Sequence, residues 1–145
     1  MTKKDIAINK FKDGYNCAQS VIFSYADKTN ISKDTALKIS NGFGGGIGRM
    51  GEICGAISGA IMVLGLVYGR GENEEKNKQD DTYLKVRELI EKFKQKYGFI
   101  DCKKLIDGCN LLTEEGQERF KSEKMAEKCV DYISYIIDIL DEIIK

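Results

Sequence analysis

The chain has 145 residues and no histidine. That absence excludes the usual general base near neutral pH, the Cys-His nucleophile pair, imidazole metal ligands and the Cys-x-x-Cys-His haem attachment. Any catalysis must rest on Cys, Asp, Glu, Lys or Tyr. Proline is also absent, which points to long helices joined by glycine and polar turns. Charge of either sign is not in excess: 23 Lys and Arg meet 23 Asp and Glu. No global field therefore draws the chain to nucleic acid or to an anionic membrane surface. The opening Met1–Phe11 carries lysines but lacks an apolar h-region and a small-residue cleavage site, so no signal peptide is expected. The expected compartment is the cytoplasm, where thiols stay reduced. No Cys-x-x-Cys occurs, and neither a zinc ribbon nor a thioredoxin-type dithiol is encoded locally.

What is present is helical periodicity within one domain, residues 1–145. With 42% hydrophobic and 32% charged residues the composition is that of a soluble globular protein. Cys17, Ala18, Val21, Ile22, Tyr25 and Ala26 share one helical face, which turns Cys17 inward. Ser32 is a candidate N-cap for a short helix that Asn41 and Gly42 stop. Tyr83, Val86, Leu89, Ile90 and Phe93 form the stripe of an amphipathic helix closed by Gly98. Cys102, Leu105 and Ile106 mark the buried side of a short helix, and Thr113 opens another helical stretch. The C-terminal segment turns Val130, Ile133, Ile136, Ile137, Leu140 and Ile144 inward. Period-two runs are absent. The expected fold is all-α, a compact bundle of five or six helices with a buried glycine-rich central helix.

That central helix is expected from about Gly51 to Tyr68, after a loop rich in glycine. Gly46, Gly48 and Gly51 match G-x-G-x-x-G, but no strand precedes them, so the dinucleotide reading is weak. A membrane span fails by length, because the uncharged run between Glu52 and Arg70 holds seventeen residues, four of them glycine. Gly51, Gly55 and Gly59, like Gly65 and Gly69, recur every fourth residue and strip side chains from one stripe. A second helix, or a symmetry-related copy, can then approach closely. Cys54 is expected in the first turn, where the helix dipole and unpaired amides stabilise a thiolate. Arg49 adds to that effect and Glu52 opposes it. The bland reading makes Cys54 a small buried hydrophobe.

The five cysteines are Cys17, Cys54, Cys102, Cys109 and Cys129. A cluster site assembled from them in space would be all-thiolate, which suits an iron–sulfur cluster or structural zinc. The segments Gly14–Val21, Ile53–Leu66, Asp101–Gly108 and Lys128–Ile133, with the glycine loop, resemble the C-GCAxxG-C-C family of redox-active proteins. In the Gly-Cys-Ala-x-x-Gly slot the chain has Cys54-Gly55-Ala56-Ile57-Ser58-Gly59. The resemblance implies cysteine-based redox chemistry and carries the four family cysteines over to Cys17, Cys54, Cys102 and Cys129, leaving Cys109 as an extra. A related domain accompanies haem in split-Soret cytochromes, but haem attachment does not carry over to a chain without histidine.

Three functions follow as expectations. In the first, Cys17, Cys54, Cys102 and Cys129 ligate an iron–sulfur cluster for electron transfer or redox sensing, with backbone N–H groups of Gly44, Gly45, Gly46 and Gly48 on its sulfurs. In the second, Cys54 is the attacking thiolate of a thiol–disulfide or peroxide reductase, with Cys17, Cys102 or Cys129 resolving. In the third, the cysteines are core filler in a non-enzymatic helical partner. The expected partner is a redox protein, with a homodimer built on the Ile-rich C-terminal face and the glycine stripe; neither nucleic acid nor a membrane span is expected.

Overall fold

Short polar residues decide where the helices begin. The computed structural model describes residues 1–145 and contains eight α-helices and no strand. Helix α1 (Lys3–Lys12) starts at a capping box between Thr2 and Asp5. Helix α2 (Cys17–Ser24) starts at a second box, in which the Asn16 side chain accepts from the Gln19 N–H and the Gln19 side chain accepts from the Asn16 N–H. Ser32 caps α3 (Lys33–Ser40), as its spacing predicts. A 3-10 turn, Asn41–Phe43, leads into the glycine loop. Helices α4 (Gly55–Tyr68), α5 (Asn77–Tyr97), α6 (Cys102–Leu105), α7 (Glu114–Ser122) and α8 (Ala126–Ile143) follow. The count exceeds the expected five or six. Helix α1 escapes a reading by periodicity because Ala7 is its one buried residue.

Helices α2, α4, α5 and α8 enclose the core. Val21, Ile22, Ile57, Leu64, Leu89, Phe93, Ile133 and Leu140 are fully or almost fully buried there, each contributing about 1.5–3 kcal/mol relative to exposure. Tyr25 is buried among them and its hydroxyl donates to the Asp141 carboxylate. Burial, reinforced by that carboxylate, pushes the Tyr25 phenol well above its ordinary range. No helix is long and apolar enough to cross a membrane.

The glycine-rich helix differs from its expectation in three ways. It begins at Gly55, not Gly51, because Gly51 has φ +77° and Cys54 is extended, at φ −50° and ψ 130°. Its close approach is confined to Gly55 and Gly59. A Cβ on Gly59 would stand 2.7 Å from the Ala18 carbonyl oxygen, and one on Gly55 would stand 3.1 Å from the Cys17 Cβ. Its far end opens outward: Gly65 has no neighbour within 4 Å of a would-be Cβ and Leu66 is 42% exposed. The glycines therefore seat α4 on α2. That contact is what draws Cys17 toward the start of α4.

Candidate functional site: cysteines beneath a glycine loop

The glycine loop is a run of left-handed backbone. Gly45, Gly46, Ile47, Gly48 and Arg49 have φ of +65°, +72°, +66°, +55° and +69°. Only glycine takes that region without steric cost, so Ile47 and Arg49 are held there by their neighbours. The hold is visible in the hydrogen bonds. The N–H groups of Gly48, Gly51 and Glu52 donate to the carbonyls of Gly42, Gly45 and Gly46 at 2.9, 3.1 and 2.9 Å. Ile47 is β-branched and 40% exposed, so it carries strain with little burial to offset it. Ile47→Gly is expected to raise the unfolding free energy by about 1 kcal/mol, read as a higher urea midpoint at unchanged slope.

The loop delivers the chain into a short antiparallel pairing. Residues Ile53 and Asp101 form an isolated bridge. The Cys54 N–H donates to the Ile100 carbonyl at 2.8 Å, and the Cys102 N–H donates to the Glu52 carbonyl at 2.6 Å. This pairing joins the start of α4 to the start of α6. Gly46 lies beneath it, where a Cβ would stand 2.7 Å from the Cys102 Cβ. Tyr132 of α8 anchors the other end of α6, its hydroxyl donating to the Leu105 carbonyl at 2.6 Å.

Cys17 opens α2 and Cys129 lies near the start of α8. Both line one cavity, and each is the largest influence on the other's ionisation. Hydrogen bonding to Cys129, then burial, raises Cys17 well above the ordinary thiol range. The same contact lowers Cys129, because the Cys17 S–H stabilises its thiolate. Cys54 and Cys102 adjoin this pair, since their charged forms also raise Cys17. Cys109 is buried with Ile106 and Met125 in a small cluster that Cys129 shares. All five cysteines are free.

Cys54 is not a depressed thiolate. The N–H groups of Ala56 and Ile57 at the start of α4 do favour its charged form, as the helix-terminus argument expects. Burial outweighs them and pushes the thiol up to about 12. Cys102 is likewise pushed up to about 12, first by burial and then by the proximity of Cys54 and Cys129. Both are neutral at pH 7. Their folded values lie above those of the unfolded chain, so the stability they supply is complete below about pH 8.5 and is lost as pH rises toward 12. Unfolding measured between pH 9 and pH 11 is expected to show stability falling by about 1.4 kcal/mol per pH unit for each such thiol.

A cavity of about 700 Å³ opens between the glycine loop and the cysteines. Cys17, Cys102 and Cys129 line it together with Gly44, Gly45 and Gly48, while Cys54 does not. Gly46 faces Cys102 rather than the cavity, and the Gly48 N–H is already bonded within the loop. Of the loop amides named from the sequence, those of Gly44, Gly45 and Gly46 have no backbone acceptor. The four family cysteines share one region, but no three Cys, Asp or Glu side chains stand where they would hold a metal ion. The arrangement is three thiols, Cys17, Cys102 and Cys129, on one cavity, with the buried Cys54 beside them.

Some of the site could not be singled out from residue type. Asn16 caps α2 and also donates through its side chain to the Asn41 carbonyl at 2.9 Å, tying the Cys17 turn to the loop. Gln19 donates to the Leu37 carbonyl at 3.0 Å and to the Asn41 Oδ1 at 3.1 Å. The only trace of this brace in the sequence is the Asn-x-x-Gln spacing of a capping box. Lys121 of α7 reaches the cavity from the far side of the chain, and no local pattern announces it.

The chain is 28% identical over 140 residues to an uncharacterized protein of Archaeoglobus fulgidus, covering 92% of this chain and 87% of that protein. No solved structure matches it. A family described as "Putative redox-active protein (C_GCAxxG_C_C)" matches residues 15–143, a span that holds all five cysteines and the glycine loop. The chain belongs to the C_GCAxxG_C_C family of redox-active proteins.

Proposed function

We propose that the protein is a thiol-based redox protein whose working couple is Cys17 and Cys129. The observation that carries this reading is that Cys17 and Cys129 line one cavity, where the influence of each on the other raises Cys17 and lowers Cys129. One partner is thus primed as the nucleophile and the other as the resolving thiol. The Cys129 thiolate attacks a disulfide R–S–S–R, forming a Cys129–S–S–R bond and releasing R–S⁻. Cys17 then gives up its proton, attacks the Cys129 sulfur and expels the second R–S⁻. Two electrons pass from the protein dithiol to the disulfide, which leaves as two thiols. In the reverse direction the Cys17–Cys129 disulfide accepts the electrons. Equilibration in glutathione redox buffers, followed by acid quenching and alkylation, is expected to show a single step in which two of the five thiols become unreactive. Five alkylated thiols at every poise would rule the couple out.

A second reading has its own observation in support. Four cysteines from separate parts of the chain raise or lower one another's ionisation, and Gly44 and Gly45, whose amides have no backbone acceptor, line the same cavity. Four neighbouring thiolates are costly unless positive charge compensates them. An iron–sulfur cluster held by Cys17, Cys54, Cys102 and Cys129 would supply that charge and make the protein an electron carrier or redox sensor. It requires the four side chains to close on one centre. Iron and acid-labile sulfide in protein purified without oxygen would favour this reading; colourless, iron-free protein from iron-replete cells would dismiss it.

A further inference from the structure

The cavity beside the cysteines has a charge that the molecule as a whole lacks. The chain is neutral overall, yet the charged residues lining the cavity are Arg49 and Lys121, with no Asp or Glu among the lining residues. Neither cation is paired with a carboxylate elsewhere. Arg49 is also held at φ +69°, an uncommon conformation for a long side chain, which fixes its backbone at the rim. Phe11, Phe120 and Leu111 supply an apolar wall. A volume of about 700 Å³ is in the range of small-molecule sites. An anionic molecule of modest size fits these walls, and its reacting atoms would meet the sulfurs that line the cavity.

We propose that the substrate of this site is a low-molecular-weight disulfide or thiol bearing carboxylates, drawn in by Arg49 and Lys121. The inference rests on the Cys17–Cys129 couple and names its oxidant by class. The disulfide enters with its carboxylates toward the two cations. Cys129 then displaces one anionic thiolate, and Cys17 displaces the second. Both leaving groups are stabilised by the same positive charges that brought them in. Their attraction is screened as ionic strength rises.

The test measures the rate at which the reduced protein is oxidised by three probes. These are dithiodiglycolate, which is dianionic, 2-hydroxyethyl disulfide, which is neutral, and cystamine, which is dicationic. Each rate is divided by that of the same probe with a free monothiol, which removes intrinsic differences in reactivity. The normalised rate for dithiodiglycolate is expected to exceed that for cystamine by about tenfold or more at low salt, and the ratio should shrink at high salt. In the double variant Arg49→Gln, Lys121→Gln the ratio should fall toward one, the rate for dithiodiglycolate falling more than that for the neutral probe. A wild-type ratio of one, or a ratio the double variant leaves unchanged, overturns the proposal while the couple stands. If none of the probes links Cys17 to Cys129, the couple itself fails and the proposal falls with it.

Discussion

Cys129→Ser is expected to abolish the two-thiol oxidation step completely while leaving the protein folded. Serine matches cysteine in shape, and at 7% exposure the site is buried but close to the cavity. The substitution removes the one thiol whose charged form the structure favours. Cys17 is then left without a resolving partner. Loss of stability should be modest, about 1 kcal/mol, because the new hydroxyl borders a cavity with polar side chains in its lining rather than a purely apolar wall. Cys54→Ser separates this account from the expectation that Cys54 is the nucleophile. With its thiol pushed up to about 12, roughly one part in 10⁵ is ionised at pH 7. Cys54→Ser should therefore still form the Cys17–Cys129 disulfide. Alkylation counts on the two variants decide the matter, and the reverse pattern would return the nucleophile to Cys54.

Gly59→Val is expected to carry the largest structural cost. The first atom added at Gly59 would stand 2.7 Å from the Ala18 carbonyl oxygen and 3.1 Å from both the Ala18 Cα and the Val21 Cβ. Two of those neighbours are backbone, so relief means parting α4 from α2. The cost is about 3 kcal/mol or more, the upper range for overpacking a tight contact. It also displaces Cys17 and Ala18, at the start of α2, from the glycine loop. The variant should therefore lose both urea resistance and disulfide formation. Gly65→Ala provides the opposite sign in the same helix. Its added methyl meets nothing within 4 Å, and alanine gains about 1 kcal/mol of helix propensity over glycine. If both substitutions lowered stability alike, the close approach of α4 to α2 at Gly59 would not be the reason.

The periodicity of the sequence carried the all-helical class and most inward faces because each long helix buries a regular stripe. The Ile133 to Leu140 stripe lies on α8, with Ile133, Ile136, Ile137 and Leu140 buried, and the expected Tyr83 to Phe93 stripe lies on α5, where Leu89 and Phe93 are buried but Tyr83 is 52% exposed. Helix α1 was not legible, since one buried alanine makes no stripe. The start of α4 was misplaced by four residues for a different reason. Residues 51–54 are uncharged but for Glu52 and merge with the helix in composition, yet their backbone pairs with residues 100–103, a partner set by tertiary folding. The same partner decides the chemistry at Cys54. A helix N-terminus can be guessed from sequence, and its lowering effect is present, but the burial that reverses it depends on what covers Cys54. Four cysteines were legible as a set through the family pattern. Which two of them face each other was not, because Cys17 and Cys129 come together only when α2 and α8 both pack beside α4.

Disulfide mapping of oxidised protein identifies the redox couple. Reduced protein, freed of metal, would be oxidised with a low-molecular-weight disulfide, quenched in acid, alkylated and digested. One linked peptide pair is expected, Cys17 to Cys129, with Cys54, Cys102 and Cys109 recovered as alkylated thiols. A link between any other two cysteines, or five alkylated thiols after oxidation, would contradict it.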